Sequence, residues 1–80
     1  MNIDKPISKE EILDIDDRIT SVYVENPENY NERFYIKVWF KYEMNNTVST
    51  GRQEFTNFNK QKIIRNIKDY FKKQHNFKIV

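Results

Sequence analysis

The sequence predicts a single two-layer α+β domain: a three-stranded antiparallel sheet with one main helix on one face, in the order α-β-β-β-α. Three observations carry that prediction. Residues 33 to 44 alternate apolar and polar positions strictly, the period of a strand with one buried face. Asn45-Asn46 follows at once and suits a two-residue turn, because Asn tolerates the positive φ that type I′ hairpins demand. Ile63, Ile64, Ile67, Tyr70 and Phe71 then recur at helical spacing.

At 80 residues the chain makes one domain, divided into a short N-terminal helical segment (1–17), the sheet (18–57), an amphipathic helix (58–75) and a tail or edge strand (76–80). A domain of this size buries roughly 60% of its unfolded surface, so good packing decides its stability. Ala is absent and Leu occurs once, which leaves ten Ile, six Phe, five Tyr and one Trp to build the core. Ile and aromatic rings fit pleated, half-buried surfaces.

The first helix is expected over 8 to 16. Ser8 and Glu11 have the spacing of a capping box, and Ile7 and Ile12 that of a hydrophobic staple. Asp14, Asp16 and Asp17 are poor interior residues and keep it short. Ile19 to Glu25 is β-branched and aromatic and reads as the first strand, ended by the Pro27 and Asn-rich loop 26–32. In the second strand, 33–44, Phe34, Ile36, Val38, Phe40, Tyr42 and Met44 share one face. Arg33, Tyr35, Lys37, Trp39, Lys41 and Glu43 share the other.

Taking the turn literally fixes the register of the next strand. It sets Met44 against Thr47, Tyr42 against Ser49, Phe40 against Gly51, Val38 against Gln53 and Ile36 against Phe55. On the other face it sets Lys41 against Thr50, Trp39 against Arg52 and Lys37 against Glu54. A slip of one residue would move every side chain to the wrong face. The pairing is self-consistent, and a bulge at Gly51 is the alternative that would shift it. The second helix, 58–74, takes a cap from Thr56, Asn57 or Asn59 and ends at His75-Asn76.

The net charge of +2 conceals a split. Residues 1–32 carry three basic side chains against nine acidic, a net of −6; residues 33–80 carry eleven against three, a net of +8. Such asymmetry points to a polyanionic partner or to internal pairing. Cys is absent, which excludes disulfides and thiolate metal sites, and a single His excludes a multi-histidine site. No apolar run approaches the ~20 residues that span a bilayer, and MNIDKPISKE lacks the apolar core of a signal peptide. The expectation is a cytoplasmic protein without membrane contact. Asn, Ile and Lys, ten of each, have AT-rich codons, which suits a low-GC bacterium or one of its phages or mobile elements.

Catalytic chemistry finds little support. His75 is the one ordinary base and sits at a polar helix end. Counted from Asp14, Glu25 takes the twelfth position of a calcium loop, but Ile19 stands where Gly is required at the sixth. One Gly cannot make a phosphate-cradling loop. The reading is a non-enzymatic binding protein without metal or cofactor.

The leading candidate surface is the face opposite the core, where Tyr35, Lys37, Trp39, Lys41 and Arg52 interleave rings and cations. Single-strand nucleic-acid binders combine those two residue types. The leading expectation is therefore a nucleic-acid-binding accessory protein acting on a single strand. The alternative is a phage or mobile-element inhibitor or adaptor that docks on a host protein through the same face, or pairs there as a homodimer. Tyr, Trp and Arg are enriched at such interfaces. Lys62, Arg65, Lys68 and Lys72, joined by Lys73, form a secondary basic face on the second helix.

The α-β-β-β-α order is similar to that of double-stranded-RNA-binding domains, and its strand-strand-strand-helix part resembles integrase arm-binding domains. The likeness is one of element order over about residues 8 to 73. Asn59-Lys60-Gln61-Lys62 echoes the Lys-rich helix start of the RNA-binding family, whereas Ile and Asn stand where that helix usually carries small residues. Element order alone assigns no function.

Overall fold

The structure, a computed structural model, describes residues 5–29 and 31–73. In chain order it contains α1 (Lys9–Leu13), β1 (Ile19–Glu25), β2 (Phe34–Met44), β3 (Thr47–Asn57) and α2 (Lys60–Lys73). The strands form one antiparallel sheet in the order β1-β2-β3. This is the α+β arrangement expected. The proposed edge strand 76–80 and His75 lie outside the described residues.

The hairpin joining β2 and β3 follows from its turn. Asn45 and Asn46 hold φ of 54° and 64°, the left-handed values a two-residue I′ turn needs. The register runs unbroken from Met44↔Thr47 to Phe34↔Asn57, with all eight pairs read from the turn in place. Gly51 carries no bulge. Phe40 needs that position empty, because a Cβ on Gly51 would lie 2.6 Å from its ring.

The irregularity falls instead in β1, between Ile19↔Phe40 and Ser21↔Trp39. The extra residue, Thr20, donates its hydroxyl to the Trp39 carbonyl at 3.3 Å. By inserting one residue, the bulge lets both Ile19 and Val22 reach the core despite their opposite parity.

Phe34, Ile36, Val38 and Phe40 of β2 are buried with Ile63, Ile67 and Phe71 of α2. Phe40 meets Phe71 edge-on at 5.2 Å and Tyr70 at 5.7 Å, a geometry aromatic quadrupoles favour. Asn59 caps α2 by accepting from the Lys62 N–H at 3.0 Å, so the helix begins at Lys60 rather than at 58.

The first helix is five residues long, not the nine expected. Ser8 caps it by accepting from the Glu11 N–H at 3.2 Å. The Glu11 carboxylate, the other half of the expected capping box, pairs with Lys60 at 3.4 Å. Past Leu13, Asp16 turns its side chain onto the Arg18 N–H at 2.9 Å, and its carbonyl accepts from Ile19 at 3.2 Å. That turn replaces the last helical residues. Ile7 and Ile12 join the core beside Ile63, Ile67 and Phe71, and Asn26 bonds both the N–H and the C=O of Ile7. Ile7 and α1 therefore lie on the same side of the sheet as α2.

Candidate functional site

Burying the even positions of β2 turns its odd positions outward, and the register assembles them with their neighbours. Ser21, Tyr23 and Glu25 come from β1, Tyr35, Lys37, Trp39, Lys41 and Glu43 from β2, and Val48, Thr50, Arg52, Glu54 and Thr56 from β3. All five residues singled out on this face are brought together on it. Because Ile7 and α1 pack on the opposite side, nothing among the described residues covers them.

Down the middle runs an aromatic row. Tyr23 meets Tyr35 edge-on at 6.1 Å. The Lys37 ammonium lies 5.9 Å from the Tyr35 ring centroid and 5.8 Å from that of Trp39. Lys37 thus spans both rings, a contact worth about 0.5–1 kcal/mol when exposed. Tyr23, 46% exposed, was not singled out from the sequence. Its signal was the alternation of Ser21, Tyr23 and Glu25 with Val22 and Val24.

The electrostatics of the face differ from what residues 33–80 suggest as a block. Within the strands Lys37, Lys41 and Arg52 are matched by Glu25, Glu43 and Glu54, so the strand face is neutral. Arg33, just before β2, lies over the Phe58 ring at 4.7 Å. Arg52 approaches Glu54 at 4.0 Å with both side chains about half exposed, a pair of little energetic weight. The basic excess lies on α2, where Lys60, Lys62, Arg65, Lys68, Lys72 and Lys73 face a single Asp69. Arg65, Lys68 and Lys72 fall in one exposed row, turned away from the buried Ile63, Ile67 and Phe71.

Arg18, which the sequence did not mark, is the one buried charged residue among those described. Its guanidinium donates to both Asp16 oxygens, at 2.8 and 3.0 Å, and to the Phe71 carbonyl at 2.7 Å. It also lies 5.2 Å from the centroid of the Phe71 ring. The carbonyl belongs to the last turn of α2, where the helix dipole favours a cation. Hydrogen bonding from Arg18 holds the Asp16 carboxyl below its ordinary value, and Asp16 in turn raises Arg18. The arrangement joins the acidic head to the basic helix and has no catalytic geometry.

Among the described residues, no group of three or more His, Cys, Asp or Glu is placed to hold a metal, and no helix is long and apolar enough to cross a membrane. The chain matches no protein-family model, no curated protein and no solved structure. The likeness to RNA-binding and arm-binding domains stays one of element order.

Proposed function

We propose that the chain is a small non-enzymatic adaptor or inhibitor whose outer sheet face docks on a protein partner. The observation that carries this reading is the neutral, mixed-charge composition of the face around the Tyr23–Tyr35–Trp39 row. Nucleic-acid affinity comes mainly from neutralising phosphates, and a face with as many carboxylates as cations offers little of that. Aromatic anchors ringed by charges of both signs are what protein interfaces present. Ten each of Asn, Ile and Lys, residues with AT-rich codons, support a partner from a low-GC bacterial host.

A second reading keeps the nucleic acid but moves its main contact to α2. The row of Arg65, Lys68 and Lys72 supports it, since phosphate-binding surfaces are built from such clusters.

One set of variants separates the two. The sole Trp is Trp39, so its emission reports occupancy of the face directly. Under the first reading, Tyr35→Ser/Trp39→Ser abolishes capture of a specific protein from a low-GC bacterial lysate, while Arg65→Gln/Lys68→Gln/Lys72→Gln leaves it intact. Capture indifferent to the face variant would sink that reading. Salt-dependent binding of a labelled oligonucleotide, lost in the α2 variant and without change in Trp39 emission, would establish the second. Binding that quenches Trp39 would restore the single-strand platform on the sheet face.

A further inference from the structure

We infer that the outer edge of β3 pairs antiparallel with the β3 edge of a second copy, joining two three-stranded sheets into one. β3 is eleven residues long and forms the border of the sheet among the described residues. Natural edge strands are usually protected by Pro, Lys, a bulge or short length. β3 has none of these. Its sequence, Thr47 to Asn57, holds no Pro and no Lys, and its pairing with β2 is regular throughout. The opposite edge is guarded: β1 is seven residues long, is bulged between Ile19 and Ser21, and is followed closely by Pro27.

The hairpin geometry says which backbone groups face outward. Residues flanking a two-residue turn form a hydrogen-bonded pair, so Met44 and Thr47 exchange both bonds. Odd-numbered residues of β3 therefore direct their N–H and C=O toward β2. Val48, Thr50, Arg52, Glu54 and Thr56 direct theirs to the open edge.

The same five residues select their own partner. An antiparallel pairing whose two-fold axis passes through Gln53 sets Arg52 against Glu54 of the second copy, and Glu54 against its Arg52. Thr50 then faces Thr56, in both directions. Val48 and Phe58, which are 47% and 54% exposed, are drawn toward each other at the ends. About eight backbone hydrogen bonds form between the four central pairs. Centring the axis on Arg52 or on Glu54 sets like charges opposite each other, which is unfavourable. The charge pattern therefore specifies both the occupant and the register. The selecting side chains belong to the outer face while the hydrogen bonds form along its border, and the test reads mass, so it does not depend on any partner being found.

The experiment is light scattering after size exclusion over a rising protein concentration. The expected result is a mass moving from the 9.9 kDa of the chain toward about twice that value. Arg52→Glu and Glu54→Arg each weaken the association about tenfold or more, since each sets like charges opposite at two symmetric positions. The double swap Arg52→Glu/Glu54→Arg restores it. Thr50→Pro removes an outward N–H without touching the β2 ladder and abolishes the dimer, while Trp39 emission and circular dichroism show the monomer folded. A chain that stays monomeric at the highest concentration overturns the inference. Single swaps that dimerise as well as the parent, or a double swap that stays as weak as the singles, overturn it equally.

Discussion

Replacing Arg18 with Met tests whether the guanidinium is the clasp between the acidic head and α2. Met keeps an unbranched apolar stem of similar reach but deletes the bonds to Asp16 (2.8 and 3.0 Å) and to the Phe71 carbonyl (2.7 Å). Arg18 is 8% exposed, so solvent cannot take over its role, and the Phe71 carbonyl loses a charged donor. Breaking a buried, hydrogen-bonded ion pair by removing one partner costs about 3–5 kcal/mol. Asp16, 22% exposed, regains some hydration and pulls the cost toward the lower end, about 3 kcal/mol. A small domain holds about 5–15 kcal/mol in total, so this is a large fraction. The melting temperature should fall by at least about 12 °C. Urea unfolding followed by Trp39 emission measures the change, with the dependence on urea unaltered if only stability has moved. A loss below about 1 kcal/mol would refute the clasp. So would an equal loss in Arg18→Met and in Arg18→Met/Asp16→Asn relative to Asp16→Asn alone, because a coupled pair cannot behave additively.

Other expectations follow from single contacts. Hydrogen bonding from Arg18 lowers the folded-state pKa of Asp16 below its ordinary value, so its stabilisation is present above that ordinary value and is lost as pH falls through the lowered one. Acid titration of stability should therefore be shallower in Asp16→Asn than in the parent, measured by chemical unfolding from about pH 5 downward. Gly51→Ala drives a Cβ to 2.6 Å from Cζ of Phe40, a ring enclosed by Tyr42, Tyr70 and Phe71, and should cost about 1–3 kcal/mol by thermal unfolding. Asn46 holds φ of 64°, so Asn46→Val should lose about 1–2 kcal/mol, whereas Asn46→Gly should match or exceed the parent in the same assay.

Much of the sheet was legible because two local signals agree. The alternation of Phe34 to Met44 chooses a face, and Asn45-Asn46 chooses a register, so eight cross-strand pairs follow from a stretch of 23 neighbouring residues, 33–55. The outer-face membership of Tyr35, Lys37, Trp39, Lys41 and Arg52 came with it. The length of α1 was not legible, because Asp16 is recruited by Arg18, whose burial depends on a carbonyl 53 residues away. The neutrality of the outer face was hidden for a related reason. Glu43 and Glu54 could be placed from the hairpin alone, but Glu25 joins them only through the β1 register, which the bulge at Thr20 sets. Counting charge by sequence block spread the basic excess over the sheet face and the second helix, whereas counting it by face puts it on α2.

The link from Arg18 to Phe71 also orders events in time. The β2–β3 hairpin joins neighbours in sequence and can form within microseconds once both strands exist. The arginine emerges from the ribosome long before the carbonyl it caps, and until then its charge must stay in water beside Asp16. This contact can therefore close only once α2 has been made through Phe71. A contact that closes after the folding transition state contributes to the unfolding barrier more than to the folding rate, and this long-range one is assigned there. Its loss would show as a shorter lifetime of the folded chain rather than as slower folding.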